Sequence, residues 1–111
     1  MPVQVILNQK NGPLPVTVSF NAPTDGPCWL VVSGSVWTQT PNLSIGVEVS
    51  LDGKPIGSAS IFSNAPSTHR AVVPTYIPLT LSIGPHQLFL GAATHGTISD
   101  SNDFFTAVLE Y

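Results

Sequence analysis

The sequence predicts an all-β protein, an antiparallel β-sandwich of jelly-roll type folded as a single domain, and three observations carry that expectation. Eleven prolines and nine glycines in 111 residues leave almost no uninterrupted stretch long enough for a helix. Between them lie short runs of Val, Ile, Leu, Thr and Phe, the residue types that fit a pleated, half-buried surface. The length is that of one domain able to bury a core without disulfides or a structural metal.

The strands are expected in order at residues 3–7, 16–20, 28–37, 43–51, 54–62, 70–76, 79–83, 87–92 and 104–111. In 16–20, Val16, Val18 and Phe20 alternate with Thr17 and Ser19, the period of a strand with one buried face. The clearest alternation is in 43–51, where Leu43, Ile45, Val47, Val49 and Leu51 interleave with Ser44, Gly46, Glu48 and Ser50. That strand runs into Asp52-Gly53, a dipeptide suited to the positive φ angles of a tight hairpin turn, and returns through 54–62. A two-residue loop sets Val49 opposite Ile56 and Val47 opposite Ser58, so Ser58, Ala59 and Ser60 line the return strand. Pro55 cannot donate to a ladder, which predicts an edge position for it. Residues 79–83 and 87–92 repeat the pattern across a Gly84-Pro85 turn. In 104–111, Phe105, Ala107, Leu109 and Tyr111 alternate with Phe104, Thr106, Val108 and Glu110; both sets are largely apolar, which predicts a central strand covered on both sides.

Only 8% of residues are charged against 42% hydrophobic, and Ser, Thr, Asn and Gln fill the difference, so the chain reads as globular, neither disordered nor membrane-spanning. The net charge is −3, and the three cations Lys10, Lys54 and Arg70 are scattered, which excludes a phosphate-neutralising stripe and, with it, a nucleic-acid partner. Cys28, the single cysteine, can form no internal disulfide and is expected to act as a small buried hydrophobe. The first seven residues carry no signal-peptide pattern, so an extracellular or surface location would require that a leader or stalk had been removed. A small chain with so little charge is expected to hide apolar surface by self-association.

The run Phe20-Asn21-Ala22-Pro23-Thr24-Asp25-Gly26-Pro27-Cys28-Trp29-Leu30 resembles the entry strand of the complement one-q globular head, a branch of the tumour necrosis factor jelly-roll superfamily. The hairpin at 47–56, the strand pair at 79–90 and the closing segment 100–109 follow in the order of that family. Cys28 stands where the family has Tyr, Leu30 where it has Phe, and the chain is shorter than the family norm, with no Gly-X-Y stalk. The resemblance implies a compact homotrimer that binds a glycan or protein partner through loops or subunit grooves.

Candidate ligand-binding residues are Trp37, Tyr76, His69, Arg70, His95 and Asn102. Trp37 precedes the polar loop 38–42 and could offer a flat apolar face to a sugar ring; Tyr76 offers the same chemistry. Trp29, eight residues before Trp37, is expected on the same face of one strand. His69 and Arg70 follow a polar loop and could bind an anionic group or a partner carboxylate. The segment 94–103 gathers Asp100 and Asp103 with Asn, Ser and Thr oxygens, a hard-donor set that could hold calcium, and it resembles the calcium loop of small bacterial fucose-binding lectins without their further acids. Against each stands a plainer structural reading: core aromatics, a solvated loop edge and an Asx-rich turn. No nucleophile elbow, metalloprotease helix motif or phosphate-cradling glycine loop is present. With what the resemblance implies, the expected function is a non-enzymatic homotrimeric recognition or assembly module without a required cofactor. Its rivals are a carbohydrate-binding lectin, with or without calcium, and a structural capsid, spike or coat component.

Overall fold

The computed structural model describes residues 2–111. Nine strands form: β1 (Val3–Asn11), β2 (Val16–Ala22), β3 (Gly26–Val36), β4 (Leu43–Leu51), β5 (Lys54–Ser63), β6 (Arg70–Ala71), β7 (Thr75–Leu81), β8 (Gly84–Ala92) and β9 (Phe104–Glu110). No helix occurs among the described residues, and so none is long and apolar enough to cross a membrane. One sheet has the order β1-β9-β3-β7, with the short β6 beside the far end of β3; the other has the order β2-β8-β4-β5. Every pairing is antiparallel. Because the chain crosses between sheets after β1, β2, β3, β5, β7 and β8, neither sheet can form without the other, and the result is a jelly-roll sandwich.

Alternation fills the space between the sheets. Leu30 and Val32 of β3 and Phe105, Ala107 and Leu109 of β9 face Ile45, Val47 and Val49 of β4 and Leu88 and Leu90 of β8, all essentially inaccessible to water. Cys28 joins this core, and burial pushes its thiol pKa up. Gly57 in β5 leaves room for Ile77 of the opposite sheet, whose Cδ1 lies 3.1 Å from where a Cβ would stand.

Three expectations are corrected. The Asp52-Gly53 turn forms, with φ of 51° and 82°, and Leu51 pairs Lys54. A bulge between Val49 and Ser50, with Ile56 the extra residue on β5, then shifts the register, so Val49 faces Gly57 and Val47 faces Ala59. The shift turns Ala59 and Ile61 inward in place of Ser58 and Ser60, which would have buried two hydroxyls. The strand expected at 70–76 stops at Ala71, because Pro74 has no N–H and Val72 and Val73 donate instead to Gly34 O and Ser60 O. The next strand starts at Thr75 and runs through Pro78, tolerated because β7 is an edge strand paired only to β3. Pro55 likewise lies on the edge strand β5, as its chemistry requires. Finally, β9 is central but covered on one side only: Phe104 is exposed, and Thr106, Val108 and Glu110 are half-buried on an outer face that no element among the described residues crosses.

Candidate functional site

At one end of the sandwich the ends of β1, β3 and β6 meet the long connection between β8 and β9. That connection is held by its own polar side chains. Thr97 Oγ1 accepts from Gly46 N at 3.2 Å and shares a proton with Thr94 Oγ1, which lies 3.1 Å from Ser44 O. Ile98 and Trp37 then exchange two backbone hydrogen bonds, extending β3 by one residue. Asn102 N donates to Asp100 Oδ1 at 2.8 Å, an Asx turn of the kind Asp residues form for local reasons.

Asp103, fully buried, is the hub. Its Oδ1 accepts from Ser35 Oγ and from His69 Nδ1, each at 2.7 Å, and its Oδ2 accepts from Asp100 N at 2.9 Å. A buried carboxylate requires such donors, and these tie β3, β6 and the β8–β9 connection together. The hydrogen bond to Asp103 is the main reason His69 holds its proton to higher pH than an ordinary imidazole; the carboxylate of Asp100, with Oδ2 3.8 Å from Nε2, adds to the effect. Trp37 packs beside His69, with ring centroids 5.9 Å apart at 44°. Arg70 reaches away through Nη2 to Asn64 Oδ1 at 3.3 Å. Trp37 Nε1 and Arg70 Nε are buried with no hydrogen-bond partner among the described residues.

The structure therefore brings Trp37, His69, Asp100 and Asp103 into one cluster, with Arg70 at its margin. Asn102 belongs through its backbone alone, its side chain pointing to solvent. His95 is on the turn beside a separate hollow of about 430 Å³ lined by Ala92, Ala93, Thr94, His95 and Thr97. Tyr76 stands apart, on the outer face of the β1-β9-β3-β7 sheet, where its ring meets Trp29 edge-on at 6.3 Å. Trp29 lies in the first half of β3, and Trp37 directly follows its last residue, Val36. Ser35 was not singled out from the sequence. Its signal is the polar pair Ser33 and Ser35 closing an otherwise apolar strand.

The donor set has chemical consequences. His69, Asp100 and Asp103 offer one nitrogen and two carboxylate oxygens within 4.8 Å of one another. Ser35 Oγ donates to the Asp103 carboxylate and makes no hydrogen bond to the His69 ring.

No family model matches the chain, and no curated protein matches it. Solved structures share its fold. A β-glucosidase from Paenibacillus barengoltzii aligns over 96% of this chain and 10% of its own, with 11% identity and a TM-score of 0.62. Dimeric latent PorU from Porphyromonas gingivalis aligns over 97% of this chain and 12% of its own, with 12% identity and a TM-score of 0.57. The EclA C-terminal domain, described as a sugar-binding protein, aligns over 98% of this chain and 77% of its own, with 15% identity and a TM-score of 0.51. The chain thus spans about a tenth of the first two proteins and most of the third. These likenesses establish the jelly-roll sandwich.

Proposed function

We propose that the domain is a non-catalytic carbohydrate-binding module. The observation that carries this reading is the convergence, at one end of the sandwich, of the Trp37 ring, the His69 imidazole and the half-exposed Asp100 carboxylate. A sugar ring presents C–H groups to an aromatic face and hydroxyls to nearby donors and acceptors, and this cluster offers both kinds of contact. Asp103 is fully buried with both oxygens already accepting hydrogen bonds, so the Asp100–Asp103 pair lacks two free carboxylates for general acid and base work. The likeness to a domain described as sugar-binding supports the same class.

The test is a glycan array with the wild-type chain and Trp37→Ala, each with calcium and with a chelator. Binding to a restricted set of glycans that Trp37→Ala abolishes is the expected result, and an array profile unchanged in the variant refutes the loop-end site. Loss of signal in chelator would assign calcium to Asp100 and Asp103. A signal that survives it would leave the carboxylates with their present role of holding β3, β6 and the β8–β9 connection.

A second reading, self-association into the homotrimer implied by the complement one-q resemblance, draws on the exposed Val3, Val5, Tyr76 and Phe104 of one sheet face. Light scattering coupled to size exclusion decides it: a mass of three chains supports the trimer, and a monomer removes it.

A further inference from the structure

The outer face of the β1-β9-β3-β7 sheet is covered by no element among the described residues. The register aligns Val5, Val108, Val31 and Tyr76 in one row across it, and Val3, Glu110, Trp29 and Pro78 in the next. Trp29 and Tyr76 are 43% and 56% exposed and meet edge to face at 72°, forming a corner of two rings open to solvent. Over the second row lies a hollow of about 560 Å³, within the usual range for small-molecule sites. Trp29, Pro78, Thr80 and Glu110 line its outer-face side.

We propose that this corner, formed by Trp29, Tyr76, Pro78, Thr80 and Glu110, is a second saccharide-binding surface, separate from the loop-end cluster. The proposal takes its ligand class from the carbohydrate-binding reading and its location from the sheet face alone. Two rings inclined at 72° accept the apolar face and the edge of a pyranose together. The Glu110 carboxylate beside Trp29 accepts hydroxyl protons, and the Thr80 hydroxyl donates or accepts. The hollow has the volume of a small-ligand site, and the Glu110 and Thr80 oxygens at its edge match the hydroxyls of a saccharide. The only charge in the two rows is Glu110, so the face suits a neutral ligand.

The chain contains two tryptophans, one at each site, so its two indole N–H resonances report the sites separately. They are assigned with Trp29→Phe and Trp37→Phe and followed by ¹H–¹⁵N spectroscopy during titration with cellotriose, maltotriose and β-1,3-galactotriose. At least one of these sugars is expected to move the Trp29 resonance saturably. The shift should persist in Trp37→Phe, and Tyr76→Ala should weaken it tenfold or more. Movement of Trp37 with Trp29 unmoved overturns this inference and leaves the loop-end site standing. Movement of Trp29 alone supports the inference and removes the loop-end site, and movement of neither removes both. A Trp29 resonance that shifts with protein concentration in the absence of sugar assigns the face to self-association and overturns the inference.

Discussion

His86 joins two turns at the end of the sandwich opposite the candidate site, and its protonation can be read from geometry. Nδ1 lies 2.6 Å from Asp52 Oδ2 and Nε2 lies 2.7 Å from the Ser82 carbonyl. Both partners are acceptors, so both ring nitrogens must donate, and only the imidazolium does that. The Asp52 hydrogen bond, followed by the Ser82 carbonyl, raises the His86 pKa above its ordinary 6.5. The same contact, with Gln87 N donating to Oδ1 at 2.8 Å, lowers the Asp52 pKa below 3.8. His86→Phe keeps a ring beside Phe20, which lies 5.7 Å away, and removes both nitrogens. Asp52 is 48% exposed, so its ion pair is discounted to about 0.5–1 kcal/mol. The carbonyl hydrogen bond adds about 1 kcal/mol, which makes the total about 1.5–2 kcal/mol, or about 5–10 °C in Tm. A raised histidine pKa gives stability that is complete below pH 6.5 and fades as the pH rises through the folded value. A lowered aspartate pKa gives stability present above pH 3.8 and lost as the pH falls through its folded value. Thermal unfolding followed by circular dichroism at pH 5.5 and pH 9 should therefore show the wild type ahead by the full amount at the lower pH and by less than half of it at the higher. His69 titrates in both proteins and cancels in the difference. An equal gap at both pH values would refute the imidazolium assignment.

Other substitutions test the packing. Val49→Ala and Leu109→Ala, both in the closed core, should each cost about 2–4 kcal/mol in urea unfolding, and a cost below about 1 kcal/mol at both would contradict their facing. Gly34→Ala should lose about 1–3 kcal/mol, because its Cβ would sit 2.9 Å from the Phe104 carbonyl and still closer to the buried Phe105 ring; unchanged stability would mean that β3 and β9 separate easily. Asp103→Ala strands the Ser35 hydroxyl, the His69 imidazole and the Asp100 amide. It should lower stability by about 2–4 kcal/mol and return the His69 pKa toward 6.5, measured by NMR titration; a His69 pKa that stays raised would show that Asp103 is not its cause.

The strands were legible because alternation is local: the faces of 43–51, the turn at Asp52-Gly53 and the edge position of Pro55 all follow from neighbours in sequence, whereas whether a second layer would cover the outer face of 104–111 does not. The hairpin register was not, since the bulge is decided by whether Ala59 or Ser60 faces a sheet that arrives from elsewhere in the chain. The site was legible as residues and not as an arrangement. His69 and Asp103 are 34 positions apart and Ser35 and Asp103 are 68, and only the crossings between sheets bring them together. Asp100 and Asp103 stood out as possible calcium ligands by their spacing, but spacing could not show that Asp103 would be buried beneath a histidine and a serine. Trp29 and Tyr76 escaped notice as a pair because Pro78 was expected to precede a strand and instead lies within one, next to Trp29.

β3 also acts as a ruler. Its extended backbone separates the two indoles by eight residues, about 26 Å at roughly 3.3 Å per residue. A trisaccharide is too short to span that distance, so its two sites would load independently. A polysaccharide strand long enough to touch both would rebind one while held by the other, at a local effective concentration in the millimolar range. Two weak contacts on a rigid strand would then yield avidity for polymers over fragments, with the preference set by chain length more than by the identity of any single sugar.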